Sequence, residues 1–298
     1  MKKHIIRSVS LALAILGIVS CSDEQETALR PQDAKSTPMT FIVSHPGQAS
    51  RATDTNFEKD DKIGLYVADA KAQLEIGGNL VNNEALTYDG SKWAAARALY
   101  WDEGTYTAYA YYPYMENVSS ITDQPFSVAL DQRVAKTATS LGGYEASDLL
   151  FATSKNITAS DSPINLTFKH IMSKLKIRLV KGEDFEGEMP ATADVYIHNT
   201  VPTATVDLQA GVATRYVKGT RHTIVARQDD ATSYSAIIVP QRIDNRMPLI
   251  EVVMNGVSYL YESKFQFKPG IEHLVNLIIS DNPDQVKIEI GGEIQNWQ

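Results

Sequence analysis

The stretch that decides the fold is Thr105-Tyr-Thr-Ala-Tyr-Ala-Tyr-Tyr112. It is rich in β-branched and aromatic residues, and in a strand the side chains of successive residues would point to opposite faces, so that alternate residues share one face. Pro113 follows directly, and proline lacks the backbone donor that a strand ladder needs. The pattern therefore predicts a β-strand that ends at Tyr112.

A second strong signal is Asn255-Gly256, which lies between the apolar runs 249–254 and 257–261. Both residues tolerate a positive φ, so the pattern predicts a tight hairpin. The segment 93–99 fits either a helix or a strand, and no long helical period is present. Further strand-like runs lie at 40–43, 62–67, 164–168, 174–180, 194–198, 222–226, 234–239, 272–278 and 286–290.

Many short strands separated by turns predict an all-β chain built from antiparallel β-sandwiches. The hydrophobic content of 43% is high enough for packed cores. About 260 residues follow the N-terminal segment, which is enough for two domains of ordinary size. Turn residues at 161–163 place the boundary near Phe168. We therefore expect an N-terminal sandwich at 39–168 and a C-terminal sandwich at 169–298.

The first twenty residues have the parts of a secretory signal peptide. Lys2, Lys3 and Arg7 give a basic start, and the apolar run 9–19 is too short to cross a bilayer permanently. A small residue, Ser20, ends the segment. We expect residues 1–20 to be removed on export.

Cys21 is the only cysteine in the chain, so it cannot form an internal disulfide. Residues 18–21, Ile-Val-Ser-Cys, resemble the lipobox of bacterial lipoproteins. That resemblance implies cleavage between Ser20 and Cys21, acylation of Cys21, and a lipid anchor in the outer membrane. The alternative is an ordinary signal peptide with a cysteine nearby by chance.

Residues 21–38 are expected to form a lipidated N-terminus and a linker, because they are polar and show no apolar period. The acidic run 22–26 resembles the export signal of lipoproteins displayed on the outer face of some Gram-negative anaerobes. A plain acidic tether facing the periplasm is the alternative. Loss of residues 1–20 reduces the 28 basic residues to 25 against 36 acidic ones, a formal charge of −11. Such a surface does not favour nucleic acid.

No catalytic motif is present in the sequence. It contains no Gly-rich phosphate loop, no Gly-x-Ser-x-Gly and no His-Glu-x-x-His, and its six histidines lack the spacing of a metal pair. His198 and His222 lie in predicted strands, where packed or exposed sheet positions are commoner than metal ligands. We therefore expect no enzyme activity, no cofactor and no metal site.

The tyrosines of the strand 105–112 and Tyr114 permit two interpretations. They could form a platform on which sugars stack, or they could pack a sandwich core with their hydroxyl groups at its rim. Their exposure distinguishes these alternatives.

Several phrases, in this order, resemble the fimbrillin-like proteins. They are the opening 51–66, the aromatic strand 108–114, Asp131-Gln132, the segment 147–152, the segment 166–175, and the ending Ile294-Gln-Asn-Trp297. The opening has Asp60-Asp61 where Gly-Asp is more usual. The resemblance covers about residues 39–298.

The resemblance implies two consecutive transthyretin-like β-sandwiches in a lipoprotein precursor of surface pili of type V. In such pili an arginine-specific protease removes the first strand, and a strand from a neighbouring subunit fills the open groove. Partners would be the same or related pilus subunits, and a host protein or glycan for an adhesive subunit.

Two segments fit these roles. The strand 40–43 precedes a small, polar stretch that ends at Arg51, so cleavage between Arg51 and Ala52 would detach it. The candidate donor strand begins at Val286 and includes Ile288, Ile290, Ile294 and Trp297. Each segment could equally be a permanent strand of its own sandwich.

These observations favour a structural or adhesive pilus subunit at the cell surface. The alternative is a monomeric surface lipoprotein that binds glycans. A hydrolase on a β scaffold lacks the residues that it would need.

Overall fold

A computed structural model describes residues 37–49, 56–281 and 287–297. These residues belong to one unit of the chain, Ser36–Gln298. Nearly all regular structure is strand, which confirms the all-β class. Besides the strands there are a 3₁₀ helix at Pro46–Ala49 and a single short helix α1 at Gly143–Ser147. No helix within the described ranges has the length and apolar character to span a membrane.

Nine strands of the described chain lie before residue 171. In chain order they are β1 (Phe41–Ser44), β2 (Lys62–Asp69), β3 (Val81–Tyr88), β4 (Trp93–Ala95), β5 (Thr105–Tyr112), β6 (Gln124–Ser127), β7 (Leu150–Thr158), β8 (Ile164–Thr167) and β9 (Lys169–His170), followed by β10, which begins just beyond at Ser173–Lys181.

The remaining strands follow β10. They are β11 (Asp194–Thr200), β12 (Thr203–Asp207), β13 (Val212–Arg215), β14 (His222–Val225), β15 (Arg227–Gln228), β16 (Ser233–Ile238), β17 (Gln241–Met254), β18 (Val257–Phe267), β19 (Ile271–Ile279) and β20 (Lys287–Asn296).

The strand β5 ends at Tyr112, as its sequence predicts, and it lies inside a six-stranded antiparallel sheet of order β4-β3-β2-β5-β7-β9. Successive side chains of β5 point to opposite faces of this sheet, and both faces are buried. Tyr106, Ala108, Ala110 and Tyr112 face a first core, whereas Tyr109 and Tyr111 belong to a second core. The sheet is therefore covered on both faces around β5.

Close packing fixes one residue of β2. Gly64 lies opposite Tyr111 in the β2–β5 pair, and a Cβ at Gly64 would overlap the ring of Tyr111. The Tyr111 hydroxyl donates to Asn83 Oδ1 at 2.5 Å, which satisfies the polar end of this buried side chain. Burial raises the pKa of Tyr111 above its ordinary value.

The first core is closed on its other side by β1 and β8, which form a parallel pair. Ile164 and Leu166 of β8 are buried in it, together with Phe168. Parallel pairing was not expected from the sequence. It is possible here because a long stretch of chain, most of the six-stranded sheet, connects the two strands.

The second core lies between a five-stranded sheet, β15-β16-β10-β19-β20, and a four-stranded sheet, β14-β11-β17-β18. A three-stranded sheet, β13-β12-β6, adds to it. This core takes buried residues from both sides of Phe168, among them Tyr66 and Leu175. The expected boundary between 39–168 and 169–298 therefore stays a prediction.

The hairpin at Asn255-Gly256 is confirmed. It joins β17 to β18, and both turn residues have a positive φ, 52° and 77°. The segment 93–99, which fitted a helix or a strand, contributes the short strand β4.

Gln132 is a fully buried side chain that takes the place of a missing strand. Its amide nitrogen donates to the Ile237 carbonyl at 2.8 Å, and its amide oxygen accepts from the Ile237 N–H at 2.8 Å. The short strand β15 pairs only with Tyr234 and Ser235 of β16. Gln132 thereby gives partners to the backbone of Ile237, a position of β16 that β15 does not reach, because buried backbone groups need hydrogen-bond partners.

Candidate strand-exchange site

The segment before and through β1 has backbone partners on two sides. On one side Met39 N–H donates to the Leu99 carbonyl at 2.8 Å, and Trp101 N–H donates to the Thr37 carbonyl at 2.9 Å. On the other side Ile164 N–H donates to the Thr40 carbonyl at 2.8 Å. The segment 37–44 thus fills a slot between the chain at 99–101 and β8.

The side chains of this segment alternate as a half-buried strand should. Met39 is buried, and Phe41 and Val43 are half-buried against the first core. Ile42 lies on the other face, where 51% of it is exposed. The predicted strand 40–43 is therefore a real strand, shifted by one residue, whose inward side chains cover a groove over the first core.

The chain that leaves β1 is anchored before and after the expected cleavage point. His45 is buried, and its Nδ1 accepts from Gly47 N–H at 3.0 Å. Phe57 packs edge-on against His45, with ring centroids 4.9 Å apart, and against Trp93 and Phe168. Arg51 and Ala52 lie outside the described residues. So do Ser20 and Cys21.

The candidate donor strand is the last strand, β20, which contains Ile288, Ile290 and Ile294. Val286 lies outside the described residues. Among the described strands, β20 pairs with β19 alone and forms the end of the five-stranded sheet. Two register shifts interrupt that pairing, one between His273 and Val275. A strand with one partner presents a free edge or can itself be exchanged.

Trp297 fastens the end of β20 to the molecule. Its ring stacks on His170, with centroids 3.5 Å apart and planes 5° from parallel. The backbone N–H of Trp297 donates to the Gly270 carbonyl at 2.9 Å, and the Lys174 ammonium lies 5.6 Å from the centroid of the Trp297 ring. The ring contacts and the backbone bond hold the last described residue in a defined place.

His170 contacts His45, the residue that follows β1, and Trp297 at the end of the candidate donor segment. Its Nδ1 lies 2.8 Å from Asp148 Oδ1, and its ring meets His45 edge-on at 5.9 Å while Trp297 stacks on it. In the sequence, His170 is one residue of the segment 166–175, and nothing in that segment singles it out. The distant pairing with Trp297 has no local pattern that could have revealed it.

The tyrosines of β5 do not form an exposed platform. Tyr106, Tyr109, Tyr111 and Tyr112 are each 9% exposed or less, and Tyr114 is half-buried. The Tyr112 hydroxyl has a raised pKa, first through burial and then through nearby carboxylates, of which Asp61 acts most strongly. The core-packing interpretation of these tyrosines is confirmed, and the sugar-stacking interpretation is wrong for this strand.

Within the described residues no group of three or more His, Cys, Asp or Glu side chains is arranged to hold a metal ion. His198 and His222 lie on β11 and β14, as expected.

The comparisons with known proteins agree with this architecture. A family model described as fimbrillin-like matches residues 50–297, most of the chain. The chain belongs to the fimbrillin-like family.

One relative of this fimbrillin-like chain is Fim1C of Bacteroides ovatus, named as a candidate fimbrium tip subunit. It is 26% identical over 196 residues, which cover 60% of this chain and 36% of the relative. The match therefore spans little more than a third of that relative's length.

Solved structures share the fold. A candidate cell adhesion protein from Bacteroides uniformis has a TM-score of 0.67 at 20% identity, over 90% of this chain and 100% of that one. The tip fimbrial protein Mfa3 from Porphyromonas gingivalis, truncated at its C-terminus, has a TM-score of 0.50 at 7% identity, over 85% and 96%.

Proposed function

We propose that this fimbrillin-like chain is a structural or adhesive subunit of a cell-surface pilus and has no catalytic role. The family match over residues 50–297 is the observation that carries the proposal. The name of the Bacteroides ovatus relative, a candidate fimbrium tip subunit, supports it. Its partners would be other pilus subunits, the same or related, with a host protein or glycan as the target of an adhesive subunit.

The route to the surface is part of the same proposal. The chain would be exported with residues 1–20 as its signal and acylated at Cys21, so that lipid anchors it in the outer membrane before assembly. Replacing Cys21 by Ser should release the protein from the membrane fraction and abolish labelling with a fatty acid. A membrane-bound Cys21→Ser protein and an unlabelled wild type would contradict this route.

Assembly would proceed by strand exchange. Cleavage after Arg51 would break the covalent connection between β1 and the rest of the chain. The departure of β1 would expose apolar groups of the first core, at a free-energy cost of several kcal/mol if each fully buried large side chain contributes about 1.5–3 kcal/mol. A strand from another subunit, with β20 as the candidate, would refill the slot between 99–101 and β8. Donor and acceptor are different surfaces, so the contact is head-to-tail and builds a fibre.

The test is limited digestion with an arginine-specific protease, followed by size-exclusion chromatography and non-denaturing electrophoresis. Cleaved wild type, alone or with related subunits, should form ladders. Arg51→Ala protein should stay monomeric, and deletion of 286–298 should prevent ladders without preventing cleavage.

Two results would contradict strand exchange in this form. One is a ladder formed by the Arg51→Ala protein. The other is complete cleavage with no oligomer in the presence of related subunits. The glycan-binding monomer would then be the better hypothesis, although the tyrosines of β5 could not provide its sugar platform.

A further inference from the structure

An open cleft of about 340 Å³ lies on the four-stranded sheet, away from β1 and β20. It is lined by His198, Asn199, Arg221, His222, Thr223 and Glu251, with Pro248 and Leu260 adding apolar surface. Its volume falls within the range of small-molecule sites, about 300–1,000 Å³. Pilus assembly as proposed above makes no use of it.

The cleft lies where two neighbouring strands are irregular. The pairing of β11 with β14 shifts register between Ile197 and Thr200, and that of β17 with β18 shifts between Pro248 and Ile250. Since Ile197 of β11 lies opposite Ile250 of β17, the two irregularities are adjacent. Bulges bend a strand and re-aim its side chains, and two together produce a depression in an otherwise even sheet face.

Asn199 holds the two irregular regions together. Its φ is +61°, in the left-handed region, and its Nδ2 donates to the Pro248 carbonyl at 2.8 Å. A non-glycine residue in this region is uncommon, and such residues cluster at functional sites. The backbone is thus held in an uncommon conformation at a residue that lines the cleft.

Fixed hydrogen bonds orient the polar side chains of the cleft. His198 Nδ1 lies 2.9 Å from Thr223 Oγ1, and His198 Nε2 lies 2.9 Å from Glu251 Oε2. Ser258 Oγ donates to Glu251 Oε1 at 2.6 Å. The four side chains come from four adjacent strands, β14, β11, β17 and β18, and form one relay across the sheet.

Arg221 is the arginine of the cleft lining. Among the described residues its guanidinium has no ion-pair partner, and it donates to the Met247 sulfur at 3.6 Å. Five other arginines of the described chain pair with carboxylates, whereas Arg178 and Arg215, like Arg221, do not; of these three, Arg221 is the one that lines the cleft. A planar guanidinium is well suited to bind a carboxylate or sulfate with two parallel hydrogen bonds.

We propose that this cleft binds an acidic sugar, a uronate or a sulfated monosaccharide at the end of a glycan. Arg221 would hold the anionic group, with exposed His222 beside it. The oriented Thr223, His198 and Glu251 offer donors and acceptors for hydroxyl groups, and Leu260, 45% exposed, offers an apolar contact for a sugar ring. An acidic peptide would need only the anion site at Arg221. The neighbouring row of oriented hydrogen-bonding side chains suits the hydroxyl groups of a sugar, so the sugar is favoured.

The experiment compares two sugars that differ by one carboxylate. Full-length protein is titrated with methyl β-D-glucuronide and methyl β-D-glucoside by calorimetry, and the imidazole resonances of His198 and His222 are followed by NMR. The glucuronide should bind at millimolar concentration, at least fivefold more tightly than the glucoside, and should shift both imidazoles. Glucose 6-sulfate is a second acidic probe, for which Arg221-dependent binding would equally support the proposal.

Charge-matched variants assign the effect to the cleft. Arg221→Gln should remove the preference for the acidic sugar. Arg178→Gln removes the same charge from an exposed position on the five-stranded sheet and should leave the preference unchanged. Both side chains are exposed, so both variants should fold, and both should assemble like wild type if strand exchange is correct.

Any of three results would overturn the proposal. The first is that the protein shows no preference between the two methyl glycosides and does not bind glucose 6-sulfate, and the second is that Arg221→Gln and Arg178→Gln lose the preference for the acidic sugar equally. The third is that N-acetyl-aspartate amide binds as tightly as the glucuronide, which would make the cleft a site for acidic peptides.

Discussion

The first and last described strands of this fold are held in different ways. The four-residue β1 and the segment before it have backbone partners on two sides, and their inward side chains cover the first core. The ten-residue β20 has one strand partner among the described residues and ends in the stacked Trp297. Removal of a strand that lies between two partners leaves an empty groove, whereas removal of an edge strand leaves a sheet that is narrower by one strand. The two ends are therefore suited to opposite roles, acceptor and donor.

The largest expected effect comes from removing each end in turn. Deletion of 37–44 should lower the free energy of unfolding by several kcal/mol, because it uncovers apolar groups of the first core and unpairs backbone on both flanking segments. Deletion of 287–298 should lower the free energy of unfolding by less, because it removes the pairing partner of one strand only, β19. Urea denaturation of both variants measures the difference.

A synthetic peptide of residues 37–44 provides the control for the first deletion. Added in excess, it should restore part of the lost stability, since a ligand that binds only the folded state stabilises it. The comparison between the ends would fail if deletion of 287–298 proved the more costly.

A smaller effect separates the two faces of β1. Phe41→Ala should cost about 2 kcal/mol, less than a fully buried phenylalanine, because Phe41 is half-buried against the first core. Ile42→Ala should change stability by no more than about 0.5 kcal/mol, because its side chain points to solvent. Equal losses in thermal or urea unfolding would show that β1 does not lie in the slot as described.

The smallest effect tests how β20 is fastened. Trp297→Ala should cost about 1 kcal/mol through loss of the stack on His170. A double-mutant cycle with His170→Ala isolates that contact, and the coupling energy should be positive and of the same size. His222→Ala, an exposed histidine elsewhere, is the matched control and should show no coupling to Trp297. Zero coupling with His170 would leave β20 fastened by its ladder alone.

Local patterns predicted the strands well, because their causes are local. Alternation gave β5 with its end at Tyr112, and Asn255-Gly256 gave the hairpin, since a positive φ at two consecutive residues has few other uses. The runs 174–180 and 272–278 fall within β10 and β19, yet nothing in either run signals that they pair in parallel. Pairing across a hundred residues depends on packing of the whole chain.

The sites were less predictable than the strands. The stack of Trp297 on His170 joins residues far apart in the chain, and the cleft at Arg221 depends on two bulges that arise only when the sheet forms. The sequence pattern predicts only ordinary sheet positions for His198 and His222. The hydroxyl and carboxylate that orient His198 come from neighbouring strands, so no spacing in the sequence could have indicated them.

Gln132 has a consequence for the direction of growth. Gln132 occupies the backbone of Ile237 on β16, beside the short edge strand β15, so this position of β16 is not available to an incoming strand, while β20 forms the opposite edge of the sheet. The two edges of the sheet are therefore not equivalent, and a subunit with non-equivalent edges has a direction. If these subunits polymerise, a single buried amide contributes to giving the filament a base and a tip.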